Sequence, residues 1–323
     1  MKFGIQLFGV LKNRRSDTMD ALRSLAGLGF KRAEPCLSFS PIPGWEHVIW
    51  PVEWFESHAA DIRALGLEIT SAHIFAENLP AVFPEMQRLA EDYGIRQFVV
   101  KTPEDLSGES LHQAALRYMQ AADALRPCGA ELLLHNEAAD MAATIHGKTA
   151  YEHLLSLCLG KVGAQVDAGW ALYAGQDPAA LLVRLGSLVR SLHYKDFRQS
   201  GQGLVPAPVG LGLVDRFALG AATGTPAAFS IALATGWLGI RMPTVSSPAV
   251  TTSGTACFFR HSTVSGPGQK RSMRRSAVSV GLHSASSWER SQMCTISGLS
   301  AGRPFAAKMA RTASAFRASA PRP

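Results

Sequence analysis

Three segments of the chain end short apolar runs in residues that can bind a cation or move a proton. In Glu131-Leu-Leu-Leu-His135-Asn136-Glu137, strand alternation puts His135 and Glu137 on one face, so both can reach the same end of a sheet. In Val162-Gly-Ala-Gln-Val-Asp167-Ala-Gly-Trp170 an acid terminates an apolar run, where it must be paired, hydrogen-bonded or metal-bound to offset its desolvation. Ser191-Leu-His193-Tyr-Lys195-Asp196-Phe197 adds a histidine and a lysine on one strand face. Imidazole and carboxylate donors together suit a borderline divalent cation such as Mn²⁺, Zn²⁺ or Co²⁺. A lone histidine is more often structural, and His135 with Glu137 could be a hydrogen-bonded surface pair. Three successive strand ends of this kind favour a metal site.

The elements that must position these groups alternate. Strands are predicted over 3–8, 31–34, 67–73, 97–101, 131–135, 163–167 and 191–195, with helices over 52–65, 80–93, 111–125, 148–157 and 178–185. A further helix begins after Ser16 or Asp17 as cap, carries Met19, Leu22, Leu25 and Leu28 on one face and stops at Gly29. Alternation alone would also fit an open doubly wound sheet. Glu34, His73, Lys101, His135, Asp167 and His193 each close a different strand, however, which is the pattern of a (βα)8 barrel; an open sheet gathers its chemistry at one switch point. No G-x-G-x-x-G loop comes after the first strand.

The chain has 323 residues, enough for one large α/β barrel, and 18% charged residues. No apolar run in its first two-thirds reaches the roughly 18 residues of a membrane span. The N-terminus enters a strand without a secretory signal pattern, which predicts a cytoplasmic protein. Five scattered cysteines predict reduced thiols. The net charge of +7 is unevenly distributed: residues 1–215 hold 24 of the 25 acids and 19 of the 32 bases, whereas 216–323 hold 13 bases and a single acid, Glu289.

Several segments together resemble the sugar-phosphate isomerase/epimerase family of xylose isomerase-like TIM barrels. They are Gly4-Ile5-Gln6-Leu7-Phe8, the Leu25–Glu34 stretch, the His-Asn-Glu strand end, Asp167-Ala-Gly-Trp-Ala with Ala174-Gly-Gln-Asp-Pro178, His193-Tyr-Lys-Asp-Phe, and Val209-Gly-Leu-Gly-Leu-Val-Asp215. The resemblance covers about residues 3–215. It implies a divalent metal (Mn, Zn, Co or Mg) held by His135 or Glu137 together with Asp167 and His193, plus a carboxylate from an eighth strand. It further implies isomerisation or epimerisation of a sugar, sugar phosphate or related polyol through an enediolate. Glu137 would be the base, and Lys195 would stabilise an enediolate oxygen or contact a substrate carboxylate or phosphate. His73 and Glu34 would line the mouth. A dehydratase or lyase on the same site is the second expectation.

After Asp215 the pattern stops. Residues 217–240 are uncharged but interrupted by Pro226, and the stretch beyond them is rich in Ser, Arg, Ala, Gly and Pro with no Asp, so an eighth strand ending in an acid is not expected. The expected organisation is an incomplete barrel of seven recognisable βα units over 1–215 and a basic, low-complexity, disordered or irregular tail over 216–323. That texture resembles a reading-frame change in GC-rich coding DNA. An incomplete barrel would leave two strand edges unpaired, implying weakened activity, aggregation or rescue as a homo-oligomer. A non-catalytic protein whose tail binds nucleic acid is the alternative from another class, but the tail lacks the spaced aromatics and Lys/Arg clusters of such a module. The expected partner is a small sugar-like molecule, with no membrane and no nucleic acid.

Overall fold

The computed structural model describes residues 2–12, 17–223 and 294–297. Eight strands close into a ring: β1 (Lys2–Gln6), β2 in two pieces (Ala33–Glu34 and Cys36–Ser38), β3 (Ser71–Phe75), β4 (Gln97–Lys101), β5 (Glu131–His135), β6 (Gly163–Asp167), β7 (Val189–Tyr194) and β8 (Cys294–Ser297). β1 to β7 pair in parallel in chain order. Pro35 splits β2 because it has no N–H to give, yet its carbonyl still accepts from the His73 N–H at 2.9 Å, which keeps the ladder continuous.

β8 runs antiparallel to both of its neighbours, with Ser297 opposite Lys2 and Ser191, and Cys294 opposite Ile5 and Tyr194. The expectation that no strand takes the eighth position is corrected in part. A strand is there and both open edges are paired, but it runs the other way and contains no acid. The remainder of the expected tail over 216–323 lies outside the described residues, except for a helix, Arg216–Ala222, packed on the helix Pro178–Leu185.

The strands form because buried parallel β-strands need apolar residues on both faces, and Leu132, Leu133 and Leu134 of β5 are all fully buried. Helices cover the outside of the ring, each through one apolar stripe: Leu22 and Leu25 of Thr18–Gly27, Phe55 and Ile62 of Val52–Ala64, Met86 and Leu89 of Phe83–Tyr93, Leu154 and Leu155 of Ala150–Leu157. Caps set their ends. Asp17 accepts from the Met19 N–H, and Asp177 accepts from those of Ala179 and Ala180 ahead of Pro178. The third strand starts later than predicted, at Ser71. Leu67 and Ile69 are buried, but Glu68 makes only an isolated bridge with Arg32 at the ring's lower edge. Among the described residues no helix is long and apolar enough to cross a membrane.

Two buried carboxylates shape the loops at the upper edge. Asp196, just past β7, accepts four backbone N–H groups, from Phe197 and Val214 on one oxygen and Gly210 and Gly212 on the other, at 2.9–3.0 Å. A Cβ at Gly212 would collide with this carboxylate, so glycine is required there. Asp140, in the short helix Ala138–Ala142, accepts from the Glu137 N–H and the Thr102 hydroxyl, and burial pushes its pKa up to about 7.

Both ends of this architecture can be tested. Ile296→Pro removes a ladder N–H from β8 and is expected to cost roughly 1–3 kcal/mol and to promote self-association through the opened edges, measured by denaturant unfolding and size-exclusion chromatography. Asp140, with its folded pKa raised, contributes stability that is complete below its unfolded pKa of about 4 and is lost as pH rises through about 7. Asp140→Asn is therefore expected to remove this group's share of any loss of melting temperature between pH 4 and 8, with the two proteins closest at the acid end.

Candidate metal centre

Because β1 to β7 are parallel, their C-terminal ends share one mouth. β2 brings Glu34 there, β3 His73, β5 His135, β6 Asp167 and β7 His193, all at most 4% exposed; Lys195, one residue past β7, is 2% exposed. Register places Lys101 beside His135 and Asp167 beside His193. The upper ends of β5 and β6 are clamped by Asn136, whose Oδ1 accepts the Asp167 N–H at 2.7 Å while its Nδ2 donates to the Asp167 carbonyl at 3.1 Å. Gly169 lets the next helix pass over β7, since a Cβ there would lie 2.7 Å from the Lys195 Cβ.

The side chains converge. His135 Nε2 lies 3.1 Å from His193 Nδ1 and 3.6 Å from Asp167 Oδ2. Each of these two rings has a carboxylate at its other nitrogen: Glu137 Oε1 is 3.6 Å from His135 Nδ1, and Glu34 Oε1 is 2.7 Å from His193 Nε2. Glu34 is itself fixed, its second oxygen accepting from Ser71 Oγ at 2.6 Å and from Gln165 Nε2 at 3.0 Å. One nitrogen each from His73, His135 and His193 lie within 4.8 Å of one another, and the three ring centroids are 5.0, 5.0 and 5.4 Å apart. Lys195 Nζ sits 3.0 Å from Asp167 Oδ2 and 4.1 Å from the centre of the Trp170 ring.

Burial and charge divide the two central histidines. Burial would lower the His135 pKa, but Asp167 and Glu137 outweigh it and hold it at about 9. For His193 burial dominates and the neighbouring rings add to it; Glu34 opposes them, and the pKa falls to about 4. Burial likewise works against ionisation of Glu34, Asp167 and Glu137. His193 holds Glu34 well below the usual carboxylate range, Lys195 and His135 do so for Asp167, and His135 does so for Glu137. His135 Nε2 and His193 Nδ1 thus share one hydrogen bond, and His193 Nε2 shares another with Glu34.

The arrangement fits a cation. Its donors are imidazole and carboxylate, and His73 Nε2 and Asp167 Oδ2 are buried without a well-directed hydrogen bond, even where Glu34 and Lys195 stand near. Of the residues read from the sequence, His135, Asp167 and His193 come together at 3.1–3.6 Å, whereas Glu137 faces the far side of the His135 ring. Glu34 and His73, expected at the mouth, lie inside the cluster. Lys101 has its Nζ 6.0 Å from the Phe75 ring centre. The supporting roles of Ser71, Gln165 and Asn136 escape sequence reasoning, because a polar residue within or beside an apolar strand carries no signal of which neighbour it will meet.

No family model matches the chain. It is 30% identical over 105 residues to the rhizopine catabolism protein MocC of Rhizobium meliloti, a stretch covering 32% of this chain and only 31% of that one, so the chain spans about a third of that relative. Among solved structures it superposes on a sugar phosphate isomerase/epimerase from Parabacteroides distasonis, with a TM-score of 0.54, 18% identity, and 69% of this chain and 82% of that chain covered. It also superposes on the probable 3-DHS dehydratase AsbF of Bacillus anthracis, with a TM-score of 0.52, 13% identity, and 75% and 100% covered. With seven parallel strands in chain order and a polar cluster at their C-terminal mouth, the chain has a TIM-barrel fold like that of these solved structures.

Proposed function

We propose that this chain is a metal-dependent isomerase or epimerase that moves a proton between carbons of a sugar, sugar phosphate or related polyol. The observation that carries the reading is the approach of His135, Asp167 and His193 to within 3.1–3.6 Å along two edges, deep in the mouth of a closed barrel. These three residues would hold the divalent ion, which when bound supplies polarisation of a substrate carbonyl or hydroxyl. Glu34 holds the outer nitrogen of His193 by a hydrogen bond of 2.7 Å, which sets that ring's orientation, and the Glu137 carboxylate stands 3.6 Å from the outer nitrogen of His135.

Glu137 is the proposed base. Its side chain is 18% exposed, against 2% for His135 beside it and 0% for Asp167, so it is the carboxylate of the group that a substrate in the mouth can meet. Its lowered pKa keeps it ionised at neutral pH. Lys195 neutralises Asp167 and would stabilise negative charge developing on a substrate oxygen. The ring is closed by β8, so the expected weakening from two open edges is replaced by a mouth with a complete wall. A nucleic-acid role for the basic tail rests almost entirely on residues outside those described.

The test is turnover of a panel of ketoses, ketose phosphates and cyclic polyol ketones in D₂O by the metal-loaded chain. The expected result is deuterium incorporated at a carbon next to the carbonyl, with the substrate skeleton retained. Glu137→Gln is expected to lower turnover roughly 10²–10⁴-fold while metal binding persists. Loss of a water from the product would instead assign a dehydratase. No exchange with any member of the panel would sink the reading.

A further inference from the structure

We infer that His73 is the fourth protein ligand of the cation, and that the resulting set of three imidazoles and one carboxylate tunes the centre toward Zn²⁺ or Co²⁺ and away from Mg²⁺ and Mn²⁺. This rests on the proposed metal centre and extends it to a residue on the opposite wall. The place between β7 and β1 is taken by Cys294-Thr-Ile-Ser297, which contains no carboxylate, so the strand that closes the ring offers the cation no acid.

Across the ring, β3 supplies His73, 4% exposed, with a nitrogen within 4.8 Å of those of His135 and His193. Were His73 merely structural, its Nε2 would be satisfied. Glu34 Oε1 lies 3.1 Å away, but the direction is wrong for a hydrogen bond, and that oxygen already accepts from His193 at 2.7 Å. The other Glu34 oxygen is taken by Ser71 and Gln165. A buried imidazole with one nitrogen within 4.8 Å of nitrogens of two more imidazoles, and with its Nε2 lacking a well-directed hydrogen bond, is placed for a cation. Imidazole donors favour Zn²⁺ and Co²⁺, whereas Mg²⁺ and Mn²⁺ prefer carboxylate and water oxygens. With Asp167 as the single charged ligand, the hard ions lose most.

The experiment uses the full-length chain stripped of metal and titrated separately with Zn²⁺, Co²⁺, Mn²⁺ and Mg²⁺ by calorimetry, with the Co²⁺ adduct examined by visible absorption and by proton NMR. The native adduct is expected to show the intense visible bands of a four- or five-coordinate site and three hyperfine-shifted, solvent-exchangeable ring N–H signals, one for each ligating histidine. His73→Asn is expected to weaken Zn²⁺ binding at least about tenfold. His73→Asp is expected to narrow the Zn²⁺ to Mn²⁺ affinity ratio by about the same factor. Circular dichroism of the metal-free variants checks folding, and the NMR count on the native chain needs no variant. Two ring signals, or His73 variants that fold and keep Zn²⁺ affinity within twofold while Asp167→Asn abolishes it, would overturn the role of His73 and leave the metal centre standing. Native protein that binds none of the four ions would overturn the metal centre itself.

Discussion

The charge network under the mouth is the constraint on which the rest of the barrel's upper half depends. Two carboxylates, Glu34 and Asp167, two central imidazoles and Lys195 are packed where water scarcely reaches, with Glu137 at their edge, and each buried charge would be costly alone. They are tolerable only as a set. Glu34 needs His193, His193 packs against His135, and His135 needs Asp167 and Glu137. Removing one member therefore leaves its partner as a buried, uncompensated group, and every backbone feature nearby serves to prevent drift. Asn136 ties two strand ends together, Gly169 admits the chain close over Lys195, and Asp196 gathers four N–H groups into one loop.

Such a network also separates holding from reacting. The groups with the least exposure are those whose orientation is most heavily determined by neighbours, while Glu137 keeps one side open to the mouth. This division suits proton-transfer chemistry, in which one base must reach substrate while its surroundings stay fixed.

Much of this is legible in the residues. The strands at 97–101, 131–135 and 163–167 can be read directly because runs such as Phe98-Val-Val and Leu132-Leu-Leu are bounded by polar residues, and period two puts Glu137 beside His135. The third strand reads about four residues early because Leu67, Glu68 and Ile69 alternate like a strand without pairing like one. The hairpin of Asp196–Ser200 and Gly203–Ala207 is hidden by its position beside the more conspicuous β7, despite its glycine-containing turn. That His73 and Glu34 enter the cluster, beyond lining the mouth, is out of reach for a different reason. Which strands face each other across a ring depends on how many strands close it, and the closing strand is four residues, Cys294–Ser297, that show no local pattern of their own.

That strand has a consequence for how the molecule is made. Ser297 lies opposite Lys2, so a segment late in the chain meets one of the first, and the ring cannot shut during synthesis until some 290 intervening residues have emerged from the ribosome. Until then β1, and β7 once it has been made, have bare edges. Closure and the drying of the mouth are thus one late event, set by the pairing of β8 with both β1 and β7.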